Sequence, residues 1–75
     1  MRPIYEIAKD IRKDWPKPHF AARPYLEALL CIGNKGDAFG ADSGASIVAY
    51  FLSNAATYRG DNARRLKAEL RSHIK

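Results

Sequence analysis

Cys31, His19 and His73 are the side chains with the widest chemistry in this chain: a thiol beside an imidazole makes a nucleophile and its base, and all three are zinc ligands. Their spacing argues against both uses. They stand in separate segments without the close ligand pairs of a zinc motif, and Cys31 lies in Leu29-Leu30-Cys31-Ile32, where a thiol is expected to be a small buried apolar group. Asp37 and Asp42 lack the further oxygen ligands of a calcium loop. Gly33-Asn34-Lys35-Gly36 has no Gly-Lys-Ser/Thr opening a helix and reads as a turn, not a phosphate loop. The chain is therefore expected to be no enzyme, with no catalytic residue, cofactor or metal.

Basic residues carry the stronger signal. From Tyr58 to Lys75, six Lys or Arg stand against Asp61 and Glu69, whereas residues 1–57 hold seven against six, so most of the net charge of +5 lies at one end. Helical steps of about 100° place Ala63, Leu66, Leu70 and Ile74 in one apolar stripe. Arg64, Lys67, Arg71 and Lys75 form a basic stripe beside it, with Arg65 further round. A helix, a short turn and a basic helix also satisfy a helix-turn-helix reading, yet the exposed centre of the last helix offers no Asn, Gln or Ser to read base edges. Arg59 next to Tyr58 can bind a partner, pair with Asp61 or Glu6, or cap helix-end carbonyls. Asn54 and Thr57 suit hydrogen bonds between helices or a cap on the Arg59-Gly60 turn. Trp15, His19 and Phe20 form a possible aromatic anchor for a protein partner, Trp15 having the alternative use of closing a small core.

Those residues need elements to hold them. Pro3 opens a first helix whose apolar face is Ile4, Ile7, Ala8, Ile11 and Trp15, expected to run to Asp14 and to stop at Trp15-Pro16-Lys17-Pro18. Residues 15–22 form a stiff connector. Pro24 leads a second helix with Leu26, Leu29 and Leu30 on one face, ending near Gly33 as a left-handed cap. The stretch from Gly33 to Gly40 has the composition of a loop, after which Asp42 or Ser43 caps a third helix, Gly44 to Tyr58. That helix is apolar nearly all round, which predicts a central position. Gly60 and Asp61 then separate it from a fourth helix reaching Ile74.

The 75 residues, with no repeat or linker, allow one domain and one small core, and 47% apolar against 28% charged residues is the balance of a globular chain. The expected fold is all-α, a compact single-domain bundle (1–75) of about four short helices with helix three central. One cysteine fits a reducing cytoplasm. The N-terminus lacks the apolar run of a signal peptide, and the longest charge-free run, Ser43 to Tyr58, falls short of the ~20 residues a membrane span requires.

Phe51-Leu52-x-Asn54-Ala55-x-Thr57-Tyr58-Arg59-Gly60-x-x-Ala63-Arg64-Arg65-x-Lys67-x-Glu69-Leu70 resembles a family of small uncharacterised proteins encoded by phages, prophages and mobile elements of Gram-positive bacteria, notably actinobacteria. Arg2-Pro3-Ile4-Tyr5-Glu6-Ile7-Ala8, Asp14-Trp15 and Pro24-Tyr25-Leu26 are similar to the same family, and Tyr58 stands where its pattern has tryptophan. The resemblance implies a phage setting in the host bacterial cytoplasm and a compact helical fold. Together with the charge pattern, the expectation is an accessory protein that binds a host or phage protein without catalysis, in host takeover or anti-defence. The candidate binding residues are Arg59, Arg64, Arg65, Lys67, Arg71, Trp15, His19 and Phe20. The alternative is a helix-turn-helix-like DNA- or RNA-binding module.

Overall fold

In the computed structural model, which describes residues 2–74, Ile4, Ile7, Ala8 and Ile11 recur at three- and four-residue intervals along the first helix and are all fully buried. This helix is α1 (Ile4–Asp14), capped by Pro3 and stopped at Trp15. After it come α2 (Arg23–Leu29), a hairpin of β1 (Ala38–Phe39) and β2 (Asp42–Ser43), α3 (Gly44–Ser53) and α4 (Asp61–Ile74). α1 packs along α4 and α2 along α3, with further contacts between α1 and α2 and between α3 and α4. The four helices share one core, to which α2 adds Leu26 and Leu29, α3 adds Ile47, Val48 and Phe51, and α4 adds Ala63, Leu66 and Leu70. None of the helices among the described residues is long and apolar enough to cross a membrane.

Several elements differ from their sequence expectation, each for a local reason. α2 stops at Leu29, and Cys31 and Ile32 donate to the carbonyls of Ala28 (3.0 Å) and Leu29 (3.4 Å) in tighter turns. That winding turns Cys31 to solvent while Ile32 stays buried, so the cysteine is not the buried apolar group its neighbours suggest. Gly33 does not adopt a left-handed conformation. Its N–H donates to the Asp37 carboxylate (2.7 Å) and its carbonyl accepts from Ile4 N–H (2.8 Å), which ties the loop to the start of α1.

The glycine-rich stretch continues into the small hairpin, paired Ala38 with Ser43 and Phe39 with Asp42, both strands exposed. Ser43 then caps α3, its Oγ accepting from Ser46 N–H at 3.2 Å. At Gly44 a side chain is excluded: a Cβ there would lie 2.6 Å from the Asn34 carbonyl oxygen. Helix α3 is not enclosed on all sides. It buries Gly44, Ile47, Val48 and Phe51 but leaves Tyr50 45% exposed, on a face where the neighbouring small residues Ala49 and Ser53 are exposed and carry too little apolar surface to demand burial.

α3 also ends at Ser53, five residues before the expected Tyr58. Asn54 takes over, its backbone N–H and its side-chain Nδ2 both reaching the Tyr50 carbonyl (3.2 and 2.8 Å). Residues 55–58 form turns that bring Ala55 and Tyr58 into the core. Gly60, at φ +116°, makes the reversal into α4, a backbone geometry that a side chain would strain.

Candidate functional site

α4 presents its basic residues to two unlike environments. On the edge facing the 54–60 turn, Lys67 Nζ donates to the carbonyls of Ala55 and Tyr58, 2.6 Å each, and lies 5.5 Å from the centre of the Tyr58 ring. The Ala55 carbonyl also accepts from Tyr58 N–H (3.1 Å), so the ammonium is its second donor, whereas for the Tyr58 carbonyl it is the one described donor and meets a group costly to leave unpaired near the core. Burial pushes the Lys67 pKa below the usual lysine range, with Arg71 and Arg59 adding like-charge repulsion. Lys67 thus has a folding role built into its position.

Arg65 faces the other way. Its Nη1 lies 3.4 Å from Glu69, a carboxylate gripped by Arg2 through Nε (2.9 Å) and Nη2 (2.8 Å). Arg2 also meets Asp10 at 2.7 Å and holds that carboxyl below its ordinary pKa. His73 Nε2 sits 2.7 Å from the Arg2 carbonyl, completing a clasp of the N-terminal segment between α1 and α4. The sequence shows opposite charges here but not their meeting, since Arg2 and Glu69 are far apart in the chain.

Trp15 belongs to the same internal structure. Its ring stacks on Tyr58 with centroids 4.9 Å apart and an interplanar angle of 10°, and meets Phe51 edge-on at 6.4 Å. Tyr58 OH donates to Asp14 at 2.8 Å, and Asn62 Nδ2 donates to the other oxygen of that carboxylate at 3.2 Å. Burial, reinforced by the bond to Asp14, pushes the Tyr58 hydroxyl well above its ordinary pKa. Of the two uses open to Trp15 from sequence, core closure is the one its contacts serve.

The remaining candidates reach solvent. Arg59, Arg64 and Arg71, with Lys67 behind them, line a shallow groove of about 350 Å³ floored by Gly60 and Ala63. Arg71 makes no ion pair or side-chain hydrogen bond with any described residue, and Arg64 has only Asp61, 3.7 Å away and exposed. Arg59 donates weakly from Nε to the Ala56 carbonyl (3.4 Å), a turn carbonyl and not the helix-end carbonyl, Asp61 or Glu6 partner expected for it, because α3 has already ended at Ser53. Asn54 bonds within its own helix end, and Thr57 is exposed.

Behind the same turn, His19 lines a second hollow of about 180 Å³ with Asn54, Ala56 and Thr57. Ala21 N–H donates to His19 Nδ1 (3.1 Å), and Phe20, 81% exposed, stacks on the imidazole with centroids 4.7 Å apart. The two hollows share no lining residue: Arg59, Arg64 and Arg71 line the first, His19 the second, and Phe20 meets the second only through its stacking on His19. His19 and Cys31 bond to Ala21 and Glu27 in their own segments and His73 meets the Arg2 carbonyl, and among the described residues the three form no metal-binding group. Comparison of the chain with protein-family models, curated proteins and solved structures gives no match.

Proposed function

We propose that this protein acts by non-catalytic binding of a protein partner that presents acidic groups to Arg59, Arg64 and Arg71 and a pocket to Phe20. The observation that carries this reading is Phe20, a large apolar side chain almost wholly in solvent on a proline-stiffened connector, in a molecule whose α4 groove is lined by arginines with little internal compensation. Aromatic residues and arginine are the types enriched at the energetic centres of protein interfaces. The phage-type setting rests on the resemblance in Asn54 to Leu70 and its flanks, and within it the partner is a host or phage protein.

The nucleic-acid alternative has less geometry behind it. Seven residues, Asn54 to Gly60, separate α3 from α4, longer than the three- to four-residue turn of a helix-turn-helix, and Asn62 is bonded to Asp14 instead of free for a base edge. The test is a paired one. Phe20→Ala and Arg64→Glu/Arg71→Glu should each abolish capture of the partner from host extract while leaving the melting temperature nearly unchanged. Wild-type capture by both variants sinks the proposal. DNA or RNA binding with a log–log salt slope of roughly −3, the value for three neutralised phosphates, would establish the alternative.

A further inference from the structure

On the seam between α1 and α2, two hollows adjoin that share no lining residue with those described above. One of about 490 Å³ is lined by Lys9, Arg12, Lys13 and Leu30. The other, of about 200 Å³, shares Arg12 and Leu30 and continues past Leu26 to Arg23, Glu27 and the connector prolines. Lys9, Arg12 and Lys13 fall at i, i+3 and i+4, which puts all three on one face of α1. None of them, nor Arg23, forms an ion pair with a described residue, and Glu27 is the only acid in the lining. Lys9 is steadied only by the Tyr5 ring, 5.6 Å from its Nζ. The apolar part of the lining is half-buried Leu30 and buried Leu26, and lysine and arginine stems beside them add further carbon.

We propose that this seam is a second docking surface, a groove for an acidic protein segment that inserts a large apolar side chain between α1 and α2. An apolar lining with four cations against one acid complements a hydrophobic residue flanked by carboxylates. Its concavity sets it against a flat anionic bilayer, which would meet the lysine heads without reaching Leu30. Another copy of this chain is disfavoured by charge, since the exposed Phe20 it could insert travels with Lys17 and Arg23. The two surfaces are opposite in kind: one projects an aromatic side chain, the other receives one.

The test is an amide NMR titration of the full chain with a synthetic peptide carrying a leucine-phenylalanine centre flanked by glutamates. Shifts should cluster at residues 9–13 and 23–30. Lys9→Glu/Arg12→Glu/Lys13→Glu should weaken the peptide at least about tenfold, and a lysine-flanked peptide should not bind. Arg64→Glu/Arg71→Glu should leave the titration unchanged, which separates this groove from the α4 surface. Should the triple variant fail to fold, Arg12→Gln/Arg23→Gln carries the same expectation of weaker binding. Each of these results overturns the proposal: no shifts at millimolar peptide, shifts centred on α4, undiminished affinity in the charge variants, or tighter binding to phosphatidylserine vesicles. A concentration-dependent rise in mass, suppressed by Phe20→Ala, would overturn it in favour of self-docking.

Discussion

Lys67 and Arg71 are one helical turn apart on α4, carry the same charge, line the same groove and do different things. Lys67 donates two 2.6 Å hydrogen bonds into the 54–60 turn, whereas Arg71 touches no described acid or carbonyl. Arg65 and Arg64 differ in the same way: Arg65 joins the Glu69–Arg2–Asp10 clasp, and Arg64 has only an exposed Asp61. A charge near the backbone groups of a turn is recruited into folding, because unmet carbonyls there are expensive. A charge one turn further along is left for solvent or a partner. Counting cations along a helix therefore overstates the surface available for binding.

That contrast is sharpest at Lys67. Lys67→Met keeps the aliphatic stem and removes both charge-assisted bonds, each worth ~1.5–3 kcal/mol. The expected loss is ~2–4 kcal/mol, below the sum of the two because the Ala55 carbonyl keeps its bond from Tyr58 N–H, and for a domain of this size each kcal/mol lowers the melting temperature by about 4–8 °C. An unchanged urea midpoint would erase the distinction between the two edges. Tyr58→Phe should cost about 1 kcal/mol by stranding one Asp14 oxygen.

The same variant tests a pH dependence. Because the folded Tyr58 pKa is raised above the ordinary 10.0, its stabilisation is fully present below that value and is lost as pH rises past it. Alkaline denaturation should therefore begin later in Tyr58→Phe, relative to its own neutral-pH stability, than in the wild type.

At the acid end the sign reverses. Arg2 lowers the Asp10 pKa below the ordinary 3.8, so that contribution is present above this value and disappears as pH falls through the folded pKa. Asp10→Asn should flatten the acid limb of a stability–pH curve and lower the melting temperature less than Lys67→Met does. Smallest of all is the expected effect of Arg64→Glu and Arg71→Glu on stability, within ~0.5 kcal/mol by thermal melting. A larger loss would place these arginines with Lys67 as parts of the fold.

The boundaries of α1 and α4 were legible because proline, Asp61 and the apolar spacing act locally, and α1 shows its core face in Ile4, Ile7, Ala8 and Ile11. The end of α3 was not, since Tyr50 to Tyr58 reads as continuous helix by composition and is broken by Asn54 together with a lysine donated from α4. The cationic spacing of Lys9, Arg12 and Lys13 was present in the sequence, but a groove exists there only because α2 lies alongside.

Local chemistry thus determined where helices start, which residues are apolar enough to make the core, and that the surplus positive charge gathers toward the C-terminal end. Tertiary structure decided which of those charges remain free, because pairing depends on separations that helical periodicity does not contain. Arg2 meets Glu69, Tyr58 meets Asp14, and Lys67 meets the carbonyl of Ala55 only once the helices have packed.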